Sequence, residues 1–486
     1  MKKETHAYIT LYLTLTLGIM LSLVFVLFEA VRDKTIRTET EGVMDLGLFS
    51  VFGEFNRQLL EQYDLFFIDT SYGEGVPDIQ RSEEHLQYYM NENFQKERMQ
   101  GGLGFRDLTN LSCDNVEYEC FMYASDKQGQ VLKAQILDYM QDKKGIGSAE
   151  KLLSEFGILK NGNYLSMDIS GKWDAADETL NVLVEEKKQE MIDPETGEQI
   201  PIEFDNPASH VKGVKAQGIL GLALPSQKQV SAAIIHPEYY LSHRTIQQGR
   251  GSLELTENLL DKATGDYLLR EYLMEKCSTY SSCKEKSVLK YQIEYLLFGK
   301  AADLENLEEV IEDILHIREG INYLYLISDG GRVAKADALA TVVSALLFSP
   351  EIKEAVKATI LFAWSYAESV KDVRILLDGN RVPLLKSDST WNTPLSRLMM
   401  FTSCLDEYEV SSEGMTYEDY LRFFLSLKSE KQVLYRFMDL CEMDIRITEG
   451  NGFFQMDGCL GAVKAKANVS SGYGNGYEIT RTYAYQ

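Results

Sequence analysis

The sequence holds six histidines, at His6, His85, His210, His236, His243 and His316. A zinc or general-base site on a helix would show two histidines four residues apart or an H-E-x-x-H run, and neither occurs. His236 and His243 are seven apart with Pro237 between them, which argues against a shared metal. His316 stands beside Arg318 and Glu319 and reads as a partly buried structural residue. No G-x-S-x-G elbow is present, so nucleophilic serine chemistry of that type has no support. The stretch DISGKW from Asp168 has the outline of a D-x-S-x-S magnesium site, but Lys172 takes the place of the second serine, and a cation there opposes a metal. GGLGFRD from Gly101 lacks the Lys-Ser/Thr and the preceding apolar strand of a phosphate loop. The carboxylates are abundant, and abundance alone identifies no acid/base pair. The expectation is therefore no catalytic residue, no cofactor, no metal and no enzyme.

The seven cysteines are Cys113, Cys120, Cys277, Cys283, Cys404, Cys441 and Cys459. No C-x-x-C pair exists, which excludes a zinc ribbon or a thioredoxin-like motif. Cys113 with Cys120, and Cys277 with Cys283, are close enough in sequence to bridge; buried free thiols are the other reading. The net charge is −25; residues 1–32 carry +1, so the remainder carries −26. Such an acidic body repels phosphate backbones, so nucleic acid is excluded as a partner.

The element on which everything else hangs is the uncharged run from Ala7 to Phe28, AYITLYLTLTLGIMLSLVFVLF. As a helix these 22 residues extend roughly 33 Å, enough to cross a bilayer core. Ala7, Leu11, Leu15, Leu21, Val24 and Phe28 are the expected lipid-facing anchor residues. A cleaved signal peptide would have a shorter apolar region ending in a small-x-small site, whereas Phe28 stands two before Ala30. An uncleaved anchor is expected, with residues 1–6 as a short cytoplasmic tip. Glu29 and Arg32, three apart, share a helical face at the membrane boundary. Lys2 and Lys3 before the span balance Arg32, Lys34 and Arg37 after it, so basic residues do not decide the orientation.

Beyond the anchor, Met44, Leu48, Val51, Phe55, Leu59 and Tyr63 recur at helical spacing, predicting a juxtamembrane helix over 29–63. Gly42, Gly47 and Gly53 are its weak points. DLFFID (Asp64–Asp69) reads as a short buried strand. Ser82–Phe94 reads as a helix, Val116–Tyr123 as a strand, and Val131–Met140 and Ala149–Phe156 as helices. Residues 160–205 are polar and read as an insertion around the turn at 193–199. Together 64–205 form an N-terminal α+β part of the body.

From 206 to 486 a helical body is expected. Asn206-Pro207 is an N-cap followed by proline at the first helical position, leading to GILGLALP and Pro225. Helices follow over Leu253–Met274 and Val288–Phe298, the latter closed by Gly299. Asp303 is expected to cap a helix with the stripe Leu307, Val310, Ile314, Ile317, Ile321 and Leu324. The charge-free Ala338–Phe348 and the broad-faced Ile352–Val370 are expected at the centre of the core. Thr416 and Asp419 have capping-box spacing and open a helix running to about Asp444. Alternation over Ala462–Val469 and Tyr477–Tyr485 around SSGYGNG predicts a C-terminal β-hairpin. The fold class is α+β, predominantly α.

Several long stretches resemble an uncharacterised membrane-anchored surface family of Gram-positive anaerobes. They are AYITLYLTLTL…VFVLFEAVR, FNRQLLEQYDLFFID, NPASHVKGVKAQGILGLALP, LKYQIEYLLFGKAADLENL, HIREGINYLYLISD, YEDYLRFFLSLKSEKQVLYRFMDL and VSSGYGNGYEITRTYAYQ. The anchor is similar to those of TadE- and TadG-like pseudopilins of the tight adherence pilus. The resemblance implies a plasma-membrane protein with its body outside the cell, in contact with membrane lipid and with pilus or secretion-apparatus proteins. Two positions depart from processed pilins: His6 replaces the glycine that precedes a cleaved apolar run, and Glu29 lies at the far end of the span. The expected function is that of a structural or assembly protein. A surface enzyme or ligand-binding protein with a site in the helical body is the alternative, and six residues before the span leave little for a sensor.

Overall fold

The computed structural model describes residues 2–100, 109–143, 149–162, 164–190, 206–224, 230–253, 261–345, 350–472, 474 and 476–485. The expected loop from Gly101 and the turn at 193–199 lie outside these residues. In chain order the helices are α1 (Lys2–Phe52), α2 (Arg57–Tyr63), α3 (Ile79–Gln100), α4 (Asp126–Lys143), α5 (Ala149–Asn161), α6 (Ile169–Glu190), α7 (Pro207–Lys215), α8 (Leu220–Ala223), α9 (Lys262–Lys276), α10 (Gln292–Phe298), α11 (Asp303–Ser328), α12 (Gly330–Ala345), α13 (Pro350–Leu377), α14 (Tyr417–Leu425) and α15 (Glu430–Arg446). The strands are β1 (Ile68–Asp69), β2 (Leu111–Tyr123), β3 (Cys459–Ser471) and β4 (Gly476–Ala484). The chain is mostly helical with a small antiparallel sheet, as its periodicity implied.

Two compact units interleave along the sequence. Unit 1 comprises Met1–Asp142, Tyr239–Gly265 and Phe437–Gln486; unit 2 comprises Lys143–Glu238 and Asp266–Arg436. The segments therefore do not follow a linear division at residue 205.

Unit 1 is built on β3. One edge of β3 pairs with β2, from Leu111↔Ser471 to Tyr123↔Leu460. The other edge takes β4, with Ala462↔Ala484 and Ser470↔Gly476 at the ends, and then β1 at Ile68↔Leu460. The expected hairpin is present, but its first strand is the sheet's centre. Val463, Ala465, Ala467 and Val469 face the core, while Lys464 and Lys466 point out and pair with Glu119 and Glu478, each at 2.8 Å. Helices α1 and α3 pack together, α3 lying on β2 and α1 on β4. Ile36, Val43, Leu48, Leu86 and Met90 fill the space between. The expected strand DLFFID contributes only Ile68 and Asp69 to the ladder.

Helix α1 runs unbroken through Gly42 and Gly47 and stops at Gly53, so no single helix reaches Tyr63. The reason lies at Asn56, whose carboxamide accepts from Leu59 N–H at 3.0 Å and starts α2 afresh. Gly47 is a close-packing site: a Cβ there would lie 2.8 Å from Leu86 Cδ1.

Unit 2 is centred on α13, which packs against α6, α11 and α12. Ala363, Ala367, Val370 and Val373 are completely buried, as expected for a helix apolar on a broad face. The polar stretch read as an insertion contains α6, a packed helix with Ile169, Trp173, Leu180 and Val184 buried. Asp168, the candidate metal carboxylate, instead accepts from Gly171 N–H at 2.7 Å and caps that helix. The expectation for Ala338–Phe348 fails in part. Ala340, Val343 and Ser344 are buried, but Val342 is 69% exposed, because α12 presents one face to α13 and another to solvent. Residues 346–349 lie outside the description.

Caps decide the other boundaries. Asn206 accepts from Ala208 N–H at 3.1 Å, with Pro207 at the first helical position. Gly299 closes α10 with φ of 68°, but that helix begins at Gln292 rather than Val288. Asp303 is not a cap: its carboxylate accepts from Lys290 N–H at 2.8 Å and Ser231 Oγ–H at 2.6 Å, while Ala302 holds the cap position. The stripe of α11 is buried except at Leu324, which is 37% exposed. The Thr416/Asp419 capping box is reciprocal, at 3.2 and 2.9 Å. The helix it opens ends at Leu425, and α15 starts separately at Glu430. The helix expected over Leu253–Met274 begins at Lys262 and continues to Lys276, with 254–260 outside the description.

Candidate functional site

In unit 1 the candidate feature is the first part of α1. It is long and apolar enough to cross a membrane, and none of its apolar window is buried. Ala7 lies in this helix, and Leu11, Leu15, Leu21, Val24 and Phe28 are between 49% and 66% exposed. The hydroxyls of Thr14, Thr16 and Ser22 are satisfied within the helix. Thr14 donates to Thr10 O (3.0 Å), Thr16 to Tyr12 O (2.9 Å) and Ser22 to Ile19 O (2.8 Å). That internal pairing is what a hydrocarbon medium requires of polar side chains. At the boundary Arg32 Nη1 lies 3.4 Å from Glu29 Oε1, with Arg32 mostly covered and Glu29 exposed.

Immediately afterwards the body takes hold. Two residues of β4 and the residue just after it, each four apart, grip α1. Tyr477 OH donates to Asp33 Oδ1 (2.6 Å), Arg481 lies 3.1 Å from Asp45 and 3.4 Å from Glu41, and Tyr485 OH donates to Phe52 O (2.6 Å). From Phe28 to Asp33 the helix rises only about 8 Å. Unit 1 also holds a buried charge clamp. Glu442 accepts both guanidinium arms of Arg244 (2.6 and 2.7 Å), Arg446 (2.8 Å) and Met456 N–H (2.9 Å). Burial pushes the Glu442 carboxyl up despite these partners.

In unit 2 the candidate site grows from a buried ionic cluster. Arg318 on α11 and Asp372 and Glu368 on α13 are completely buried, and Lys386 is 1% exposed. Arg318 Nε donates to Asp372 Oδ2 (2.9 Å), and its Nη1 to Pro383 O (3.0 Å) and Leu384 O (3.2 Å). Lys386 Nζ donates to Asp372 Oδ1 (2.6 Å), Glu368 Oε1 (2.7 Å) and Thr390 O (2.9 Å). Asn322 adds a 2.9 Å bond to Asp372. Burial alone would raise the Asp372 carboxyl, but Arg318 and Lys386 outweigh it and hold it below its ordinary value. Two cations against two carboxylates is the arrangement that makes so deep a burial tolerable.

The cluster positions the loop that follows it. Asn392 N–H donates to Glu368 (3.0 Å), and Lys371 Nζ to Asn392 O (3.2 Å). The indoles of Trp364 and Trp391 both donate to Thr393 O, at 2.6 and 2.7 Å. The Arg332 guanidinium lies 5.0 Å from the Trp391 ring and 5.1 Å from the Tyr325 ring, and donates to Asp388 (2.8 Å). Between this loop and α12 lies a cavity of about 990 Å³. Buried Pro207, Trp364 and Leu398 form an apolar patch in its lining. Arg332, Lys335 and Leu339 of α12 line it, as do Asp388, Glu407 and Glu409 from the chain that follows α13. Among the described residues no histidine or cysteine lines it. A smaller cavity of about 240 Å³ shares Ser389, Asn392 and Glu409 with it and reaches Asp372 and Lys386.

None of these unit 2 site residues was singled out by spacing. The visible signal was Arg318, which lies four residues after Ile314 and three before Ile321 on the buried stripe of α11. His316, expected to be partly buried, is exposed instead. His236 lies 3.6 Å from Glu238, and both are largely exposed. Among the described residues no group of three or more His, Cys, Asp or Glu is placed to hold a metal, and all seven cysteines are free thiols. Cys283 is exposed and Cys120 half-buried; the other five are buried.

These features define a large, mostly helical protein with an N-terminal apolar helix and a cavity-bearing helical unit. The chain belongs to a family of unknown function, DUF5702, whose model matches residues 197–471, more than half of the sequence. The match contains the ionic cluster and the whole cavity lining but not α1. No curated protein and no solved structure matches the chain.

Proposed function

We propose that this chain is a single-pass membrane protein that holds a structural or assembly body at the outer cell surface. In this reading it is not an enzyme, and it serves as an accessory of a pilus or secretion apparatus of the tight adherence, type IV-like kind. The observation that carries the proposal is α1 itself. Its exposed apolar half is followed within two turns by the first contact, Tyr477 on Asp33, and then by Arg481 and Tyr485 further along the same unbroken helix. A helix clamped in this way suits a part that must hold position relative to the bilayer.

Cys283 supplies a natural reporter, being the exposed thiol. Intact cells are treated with a membrane-impermeant maleimide, then lysed and washed with carbonate. The expected result is labelled protein in the membrane pellet, with labelling abolished by Cys283→Ser. Labelling only after lysis would reverse the orientation, and recovery in the carbonate wash would remove the anchor. Crosslinking on intact cells tests the apparatus: pilus or secretion subunits should be captured, and their absence sinks that part.

A further inference from the structure

We propose that the cavity of unit 2 binds a short peptide segment with an apolar side chain between an acidic and a basic residue. The argument begins with volume. About 990 Å³ is at the upper end of what ligand-binding clefts enclose, and too large for an ion or a single small metabolite. Pro207, Trp364 and Leu398 form a buried apolar patch in the lining, and Leu339, Leu395 and Met399 add to it. An apolar patch with an adaptable methionine fits a side chain of a peptide.

The charges are sorted by segment. Arg332 and Lys335 are one turn apart on α12, whereas Asp388, Glu407 and Glu409 come from the chain that follows α13. Asp388 engages Arg332, and Arg397 engages Glu407. Lys335 and Glu409 then remain to meet a ligand's carboxylate and its cation. The loop bearing Trp391 is fixed before any ligand arrives. Lys386 and Glu368 hold its two ends, and the Asn392 carboxamide oxygen accepts from Glu409 N–H at 2.9 Å. Such preorganisation lowers the ordering cost of binding. The inference does not depend on the membrane topology proposed above, since the cavity is complete within one unit.

The test uses the full chain in detergent and a random heptapeptide library displayed on phage. The expected selection is a consensus of one apolar residue flanked by an acidic and a basic one. The fluorescein-labelled consensus peptide should lose at least tenfold in affinity with Lys335→Glu, with Glu409→Lys and with Trp391→Ala. The double reversal K335E/E409K should prefer the peptide with its two charges exchanged. Lys335 and Glu409 are exposed, so these variants keep the fold, and Trp391→Phe guards against misfolding at the indole. Selection without a consensus, or binding indifferent to both charge reversals, overturns the proposal. So does competition by a peptidoglycan disaccharide that the peptide does not match.

Discussion

Replacing Lys386 by methionine should be among the most damaging single changes in unit 2. The side chain is 1% exposed, and its ammonium donates to two carboxylates and one carbonyl. Without it Asp372 keeps Arg318 and Asn322, but among the described residues Glu368 keeps only the Asn392 N–H as a hydrogen-bond donor, with the Lys371 charge nearby. Breaking a buried pair by removing one partner costs about 3–5 kcal/mol, because a charge is stranded in a poorly polarisable interior. The three tryptophans, Trp173, Trp364 and Trp391, all belong to unit 2, so indole fluorescence follows that unit alone. With a urea dependence of about 3 kcal/mol per molar, the midpoint should fall by roughly 1–1.7 M. The second arm isolates the cause. Glu368→Gln removes the stranded charge and keeps an acceptor for Asn392, so Lys386→Met/Glu368→Gln should recover at least half of the loss. A midpoint within 0.3 M (about 1 kcal/mol at that slope) of the parent, or a double variant no better than Lys386→Met, would refute the account of the cluster.

Three further outcomes are expected. Glu294 is completely buried, and its carboxyl is pushed up to about 7 by desolvation, against bonds from Tyr280 N–H and Tyr417 OH. Its folded value exceeds its unfolded one, so its contribution is fully present below the ordinary glutamate range and is lost as pH rises through about 7. Unit 2 should therefore lose stability over that interval, and Glu294→Gln should flatten the profile read by tryptophan fluorescence. Asp372 works in the opposite sense: its depressed value gives stability present above the ordinary aspartate range and lost in stronger acid, which acid titration of the Glu294→Gln variant would expose. Gly47→Ala places a methyl 2.8 Å from Leu86 Cδ1 and should cost about 1–3 kcal/mol, seen as faster hydrogen exchange over residues 79–94 with unchanged tryptophan midpoints.

What was legible in the sequence was local. Asn206-Pro207, the Thr416/Asp419 box and Gly299 each act within three or four residues, and each stands where its spacing put it. The uncharged run from Ala7 needed only a count. Errors arose where a remote partner decided. Nothing near Val116 announces Ala467, its partner in β3, and nothing near Gly47 announces Leu86. The candidate site was hidden for a different reason. Arg318, Asp372 and Lys386 belong to types almost never fully buried unless paired, so each reads as surface until its partners, 54 and 14 residues away, are known. Trp391 carried a faint signal as one of three tryptophans, in an otherwise polar loop.

The grip of β4 on α1 also sets a schedule for biogenesis. Tyr477 meets Asp33 across 444 residues of chain, and Tyr485 meets Phe52 across 433. At ribosomal speeds of about 5–20 residues per second, α1 emerges roughly 20 to 90 s before the strand that completes its surroundings. During that interval the face of α1 that unit 1 later covers, with Ile36, Val43 and Leu48, has no strand against it. A truncation that removes the last eleven residues, and β4 with them, would leave that face without its strand indefinitely.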